Sequence, residues 1–182
     1  MKKLKFLLSA VLLALIIVPA SLCAAQITDE DMALGGIRLG MTAQEVEDLY
    51  GAPDVIEDGA QGFVGGELVI LRTCTYKSLS LQVRFLPDEG GVYDVMVGKN
   101  EVNPYIEDVT DAAREIATPQ GIRPGSTRED LEAAYGSIPK PKCGNKAPPT
   151  CGYFYESAAA KLGFYICPEV SPGIRSIQLT MK

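Results

Sequence analysis

An internal repeat constrains the fold of this chain more than any other feature of its sequence. Residues 36–51 read GIRLGMTAQEVEDLYG and residues 121–136 read GIRPGSTREDLEAAYG, at a constant offset of 85 residues and without a gap. Eight of the sixteen positions are identical. Self-similarity at a fixed spacing is typical of a structural unit that is used more than once. The sequence therefore predicts two copies of one small unit.

Each copy encodes a turn followed by a short helix. Gly40 and Gly125 permit the turn, and Thr42 and Thr127 stand where a helix N-cap belongs. An acidic residue follows each threonine three positions later, as in a capping box, and a glycine follows each predicted helix at its C-terminal end. A helix of about two and a half turns is too short to be stable without packing against another element.

Strand patterns supply that element in both copies. Residues 79–85 alternate apolar and polar side chains, and strands are also predicted at 67–76 and 92–97, then at 152–157, 160–167 and 174–181. Residues 103–118 contain a further helical segment around 109–116, read as the linker into the second copy. We therefore predict an α+β fold of two tandem helix-plus-antiparallel-meander repeats, each in two layers, spanning 26–102 and 103–182.

Residues 1–25 have the layout of a secretory signal peptide. Three lysines precede an apolar run over residues 6–20, and Ala24 and Ala25 offer a cleavage site. This predicts an exported protein, either periplasmic or secreted. Cys23 is a second possibility for processing, because a cysteine behind such a run can be lipidated. Contact with a membrane is expected only in that case.

Charge and composition exclude several functions. Without residues 1–25 the chain keeps 14 basic and 23 acidic residues, a net charge of −9. Nucleic acid is therefore not an expected partner, since binding it requires cations that neutralise phosphates. Histidine is absent, which removes imidazole bases, the usual catalytic triads and histidine-containing zinc sites. The sequence indicates a protein that is not an enzyme and that carries no metal or cofactor.

The repeated motif resembles two families of exported proteins. Gly40-Met41-Thr42 through Val46, followed by a meander and then repeated from Gly125, is similar to the β-lactamase inhibitory protein fold. It also resembles the outer-membrane assembly lipoproteins of the SmpA/OmlA group. The first resemblance implies a protein-binding module that inhibits an extracytoplasmic enzyme. The second implies an assembly or structural factor of the cell envelope. The chain departs from the first family in having no tryptophan and one cysteine in its first half.

Four cysteines remain after residue 25, which suits an oxidising compartment and allows three pairings. The resemblance to the inhibitory proteins, which tie the helix-to-strand loop with a disulfide, favours Cys143–Cys151. Cys74–Cys167 would then join the two sheets. A cross-strand Cys151–Cys167 bond is the alternative, because a hairpin would place those two residues opposite each other.

Aromatic residues on the strands of the second copy indicate where a partner binds. Alternation places Leu162 and Phe164 in the core and leaves Tyr165 facing outward beside Lys161. Such amphipathic rings are frequent in protein interfaces. The candidate contact residues are Tyr153, Tyr155, Lys161 and Tyr165, and the expected partner is another extracytoplasmic protein. The alternative is that the helices and the sheet of the other copy bury these aromatic rings.

Overall fold

The computed structural model describes residues 27–88, 90–99, 108–145 and 148–182. The predicted signal peptide, Cys23 and the beginning of the 103–118 segment lie outside these residues. Two α-helices are present, α1 (Ala43–Tyr50) and α2 (Arg128–Tyr135). The strands are β1 (Ala33–Leu34), β2 (Ile37–Arg38), β3 (Val55–Val64), β4 (Glu67–Tyr76), β5 (Leu81–Phe85), β6 (Val92–Gly98), β7 (Lys142–Cys143), β8 (Cys151–Glu156), β9 (Ala160–Cys167) and β10 (Ser171–Met181).

The predicted α+β architecture of two separate helix-plus-meander units is wrong. The described residues are mostly β, with eight strands in one continuous antiparallel sheet in the order β3-β4-β5-β6-β10-β9-β8-β7, and a two-stranded sheet of β1 and β2. The last strand of each half, β6 and β10, pair with each other at the centre. This pairing satisfies backbone groups that would otherwise lie on two exposed sheet edges, and helices of eight residues are too short to cover them.

Both helices follow the local prediction closely. Thr42 accepts a hydrogen bond from the Glu45 backbone N–H, and the Glu45 carboxylate accepts one from the Thr42 N–H at 2.8 Å. Thr127 and Asp130 form the same reciprocal pair, at 2.7 Å for the carboxylate bond. Two otherwise unpaired donors are satisfied at each helix start. The capping boxes predicted from the sequence are confirmed.

The local backbone geometry explains why the motif contains glycines. Gly40 has a φ of 83° and its N–H donates to the Val92 carbonyl, while Gly125 has a φ of 98° and its N–H donates to the Ile174 carbonyl. A Cβ on Gly91 would lie 2.5 Å from the Gly40 oxygen. A side chain on Gly91 would therefore prevent the close approach of the Gly40 and Gly91 backbones. The turn before each helix is thereby hydrogen-bonded to the last strand of its own half.

The main core lies between the helices and one face of the sheet, which we call the helical face. Val46 of α1 and Leu131 of α2 are fully buried against it. The sheet contributes alternate residues of its central strands, and their pairing follows one row across the sheet from Val83 through Val95 and Leu179 to Leu162. The opposite side, which we call the second face, carries the intervening residues and is more polar.

The linker differs from its prediction. Within residues 108–118, only Ala112–Glu115 form a helical turn, and it is of the 3-10 type. Its Ala113 is buried in the core. Among the described residues, neither helix is long and apolar enough to cross a membrane.

Candidate partner-binding face

The four predicted contact residues lie on two different faces of the sheet. Tyr153 and Tyr155 pair with Phe164 and Leu162, so all four project onto the helical face. Tyr155 lies 5.1 Å, centroid to centroid, from Tyr135 of α2, and burial raises its pKa to about 12. For Tyr153 and Tyr155 the alternative of burial in the core holds, because both residues are more than nine-tenths buried. Tyr165 and Lys161 lie on the second face.

Phe154, between these two tyrosines on β8, projects onto the second face and is only partly buried. It pairs with Gly163 and its ring also covers Gly152. A Cβ on Gly152 would lie 2.6 Å from a ring atom, and one on Gly163 would lie 3.0 Å away. The two glycines thus leave a flat surface on which the ring lies, on a stretch of strand that would otherwise present bare backbone.

Two lysines and a tyrosine surround this ring. The Lys161 Nζ lies 4.1 Å from the ring centroid, and the Lys142 Nζ lies 5.8 Å from it. Both distances are within the range of cation–π attraction. Tyr165 meets the ring edge to face, with centroids 5.7 Å apart and an interplanar angle of 83°. We call Lys142, Phe154, Lys161 and Tyr165 the Phe154 cluster.

The lysines of this cluster form no salt bridge with any described residue, although Glu156 stands opposite Lys161 in the β8–β9 pair and lies close enough for both lysines, in addition to Lys182, to lower the pKa of its carboxyl. In the described parts of the chain, no carboxylate oxygen lies within salt-bridge distance of either ammonium group. The nearby Glu156 instead pairs with Lys182 at 3.0 Å, and the hydrogen bond from Lys182 lowers the pKa of the Glu156 carboxyl. Three lysines thus surround one carboxylate, and cations remain in excess next to the aromatic ring.

A buried acid lies beside the cluster on the same face. Asp94 of β6 has no exposed surface and accepts hydrogen bonds from Arg84 Nε at 2.9 Å, Gln178 Nε2 at 2.5 Å and Thr180 Oγ1 at 2.6 Å. The Tyr165 hydroxyl donates to Gln178 Oε1 at 2.9 Å, which connects the cluster to this Asp94 network. Since Arg84 and Asp94 belong to the first half, and the others to the second, the network fastens the two halves together.

The Asp94 network suits a structural role better than a catalytic one. A buried carboxylate is tolerated when it is paired and hydrogen-bonded, and here both oxygens are occupied. Burial raises the pKa of the Tyr165 hydroxyl, and the Asp94 charge raises it further. Across the ranges that the structure describes, no group of three or more Cys, Asp or Glu side chains is placed to hold a metal ion.

The disulfide prediction is confirmed at its first choice. Cys143 and Cys151 are bonded across the β7–β8 pair, where they stand directly opposite each other. The bond fixes the strand that carries Lys142 and is of a kind that forms in oxidising, extracytoplasmic compartments. This excludes Cys151–Cys167.

Cys74 and Cys167 are free thiols, so the Cys74–Cys167 pairing is wrong as well. They lie on β4 and β9, which are separated by β5, β6 and β10. Four strand spacings amount to about 19 Å, far beyond the reach of a disulfide.

Sequence reasoning missed Phe154 and Lys142, although both left a signal. Tyr153 and Tyr155 share one face of a strand, so strict alternation assigns Phe154 to the other face. Lys140, Lys142 and Lys146 fall within seven consecutive positions of an otherwise acidic chain. This spacing could have indicated a local basic patch, but the net charge of the whole chain obscured it.

Known proteins that are similar to this chain are distant in sequence. No protein-family model matches the chain, and no curated protein matches it. A solved structure of a DUF4309 family protein from Bacillus subtilis is similar at a TM-score of 0.41 and 15% identity, over 81% of this chain and 83% of that one. A cysteine-rich secretory protein from Staphylococcus aureus is similar at a TM-score of 0.49 and 10% identity, over 87% of this chain and 49% of that one.

Proposed function

We propose that this chain is an exported, non-enzymatic binding module that holds another extracytoplasmic protein against the Phe154 cluster. The observation that carries the proposal is a partly buried aromatic ring flanked by two lysines that form no salt bridge with a described residue, on a face that the helices leave uncovered. Aromatic side chains with polar surroundings are frequent anchors of protein interfaces. The strands and the disulfide hold the cluster in a fixed geometry, which lowers the entropy lost on binding.

Inhibition of an extracytoplasmic enzyme is the form of binding that the resemblance to the inhibitory proteins supports. A rigid sheet face that carries an aromatic anchor suits an inhibitor, because the partner's surface is recognised without any chemistry on the inhibitor. The proposed location is the periplasm or the medium. The alternative is an envelope assembly factor that is anchored through a lipid on Cys23. Mass spectrometry of the native N-terminus distinguishes the two, because it detects a lipid on Cys23.

The test compares two phenylalanines near opposite ends of the sheet, one partly buried and one exposed. Phe154→Ala removes the proposed anchor, whereas Phe63→Ala removes a ring on β3 that is 61% exposed and far from the cluster. Each variant, with the unaltered chain, is used to capture cross-linked partners from envelope and culture-medium fractions. We expect one partner to be captured by the unaltered chain and by Phe63→Ala, and to be reduced at least about tenfold on Phe154→Ala.

The far-ultraviolet circular dichroism and urea midpoint of each variant establish that it is folded before capture. A partner that remains equally bound to folded Phe154→Ala would contradict the proposed surface. Loss of the partner from both variants alike would contradict it too, since the two rings share no contact.

A further inference from the structure

We infer that the segment recognised by the Phe154 cluster is an extended, acidic stretch of the partner, with carboxylates on alternate residues. This inference rests on the proposed function and names the chemistry of its ligand. It is carried by the charge, the spacing and the surroundings of the two lysines.

Positive charge is locally in excess at this site. The chain has a net charge of −9 after residue 25, yet around the Phe154 cluster three lysines, Lys182, Lys161 and Lys142, lower the pKa of a single carboxyl, that of Glu156. Lys142 and Lys161 are both turned toward one ring. Local attraction for an anionic group is the electrostatic consequence.

The negative charge of the rest of the protein limits which anions can bind at this site. Polyanions such as nucleic acids extend over many charges and are repelled by the acidic surface as a whole. Screening limits that repulsion to a Debye length of about 8 Å at physiological ionic strength. A short acidic segment of a protein therefore contacts the two lysines without approaching much of the acidic surface.

Spacing indicates an extended segment. Both ammonium groups lie close to the Phe154 centroid, so they are within about 10 Å of each other. In an extended chain, residues i and i+2 share a face and lie about 6.8 Å apart. Two such glutamates reach one lysine each, and their methylene groups lie over the ring between them.

The probe is a blocked decapeptide of alternating Glu and Thr, and the matched control replaces every Glu with Gln. Binding to the full chain is measured by fluorescence anisotropy of the labelled peptide at 50 and at 300 mM NaCl. We expect the Glu peptide to bind at least tenfold more tightly than the Gln peptide at 50 mM NaCl. We expect the difference to shrink several-fold at 300 mM NaCl.

The variants separate charge from packing. Lys142→Met with Lys161→Met removes two charges but keeps the apolar stems beside Phe154. Arg38→Met with Arg128→Met removes two charges from exposed residues at the starts of the two repeated units, away from the cluster. We expect the lysine pair to reduce binding of the Glu peptide at least tenfold and the arginine pair to reduce it less than twofold.

Equal binding of the Glu and Gln peptides, or equal effects of the two double variants, would overturn the inference. The same holds if the native partner depends on Phe154 but is captured undiminished by the lysine double variant. In that case the proposed function stands and the acidic ligand is wrong. Dependence on neither Phe154 nor the lysines removes both.

Discussion

The two halves of the chain use the same turn and helix but end in different outer strands. At one edge of the sheet, β3 is ten residues long, carries Glu57 and Asp58, and has no disulfide. At the other edge, β7 has two residues, is joined to β8 by Cys143–Cys151, and presents Lys142 to Phe154. Sheet edges are where unpaired backbone and charge can be altered without repacking the core. The halves therefore agree where their helices pack on the sheet and differ at the sheet edges.

Exposed apolar side chains follow the same division. Within the described residues, four of the six large hydrophobic side chains that are exposed lie on the β3–β4 pair, namely Ile56, Phe63, Leu68 and Ile70. The β7–β8 edge instead combines a partly buried ring with an excess of lysines over carboxylates. The second edge therefore offers an aromatic ring and positive charge together, whereas the first offers exposed apolar side chains and acidic residues.

The largest effect on stability is expected where the two halves meet, at the Asp94 network beside the β6–β10 pair. Asp94→Ala leaves the partly buried Arg84 guanidinium without its carboxylate and removes the acceptor of Gln178 and Thr180. We expect the free energy of unfolding to fall by about 3 kcal/mol. Urea denaturation measures it.

Asp58→Ala is the matched control at the free edge. Its ion pair with Arg72 has nearly the same length, 3.1 Å, but both side chains are more than half exposed. We expect a change below about 1 kcal/mol. Equal losses for the two variants would show that the Asp94 network does not hold the halves together.

Local elements of this fold were predictable because their causes are local. Thr42, Glu45 and Gly51 fix the beginning and end of α1 within ten residues of sequence. Alternation along β9 correctly assigned Leu162 and Phe164 to the core and Tyr165 to the second face. In each case the determining contacts lie within one strand or one turn.

The elements that were missed depend on contacts between distant residues. Val97 pairs with Ile177 at the centre of the sheet, and nothing in either strand specifies the other as its partner. Asp94 becomes a buried, paired acid only once that pairing exists. The face of Tyr153 and Tyr155 depends on the β8–β9 register, which pairs Tyr153 with Phe164. A single sequence carries no direct signal for such pairings.

A smaller effect is expected from the disulfide at the β7 edge. Replacing Cys143 and Cys151 with serine releases a short loop, and we expect unfolding to become easier by about 2–3 kcal/mol. Binding at the Phe154 cluster should weaken as well, because the strand that carries Lys142 loses its covalent link. Dithiothreitol should lower the urea midpoint of the unaltered chain and leave that of the variant unchanged. A variant as stable as the unaltered chain would mean that the β7 edge is held by other contacts.

The smallest effect tests the likeness of the halves at their helix caps. Thr42→Ala and Thr127→Ala each remove one side-chain cap, and we expect each to lower the free energy of unfolding, measured by urea denaturation, by about 1 kcal/mol.

The hydrogen bonds from the capping threonines lower the pKa of Glu45 from its ordinary 4.5 and that of Asp130 from its ordinary 3.8. A carboxyl whose pKa is lower in the folded state stabilises the fold above its unfolded pKa, and this contribution is lost as the pH falls through the folded value. Stability should therefore decline below about pH 4.5 through Glu45 and below about pH 3.8 through Asp130. Glu45→Gln and Asp130→Asn should flatten these two parts of the pH profile separately. If one cap variant costs several times as much as the other, the two helices differ in how they are held, and the likeness of the halves ends at the level of sequence.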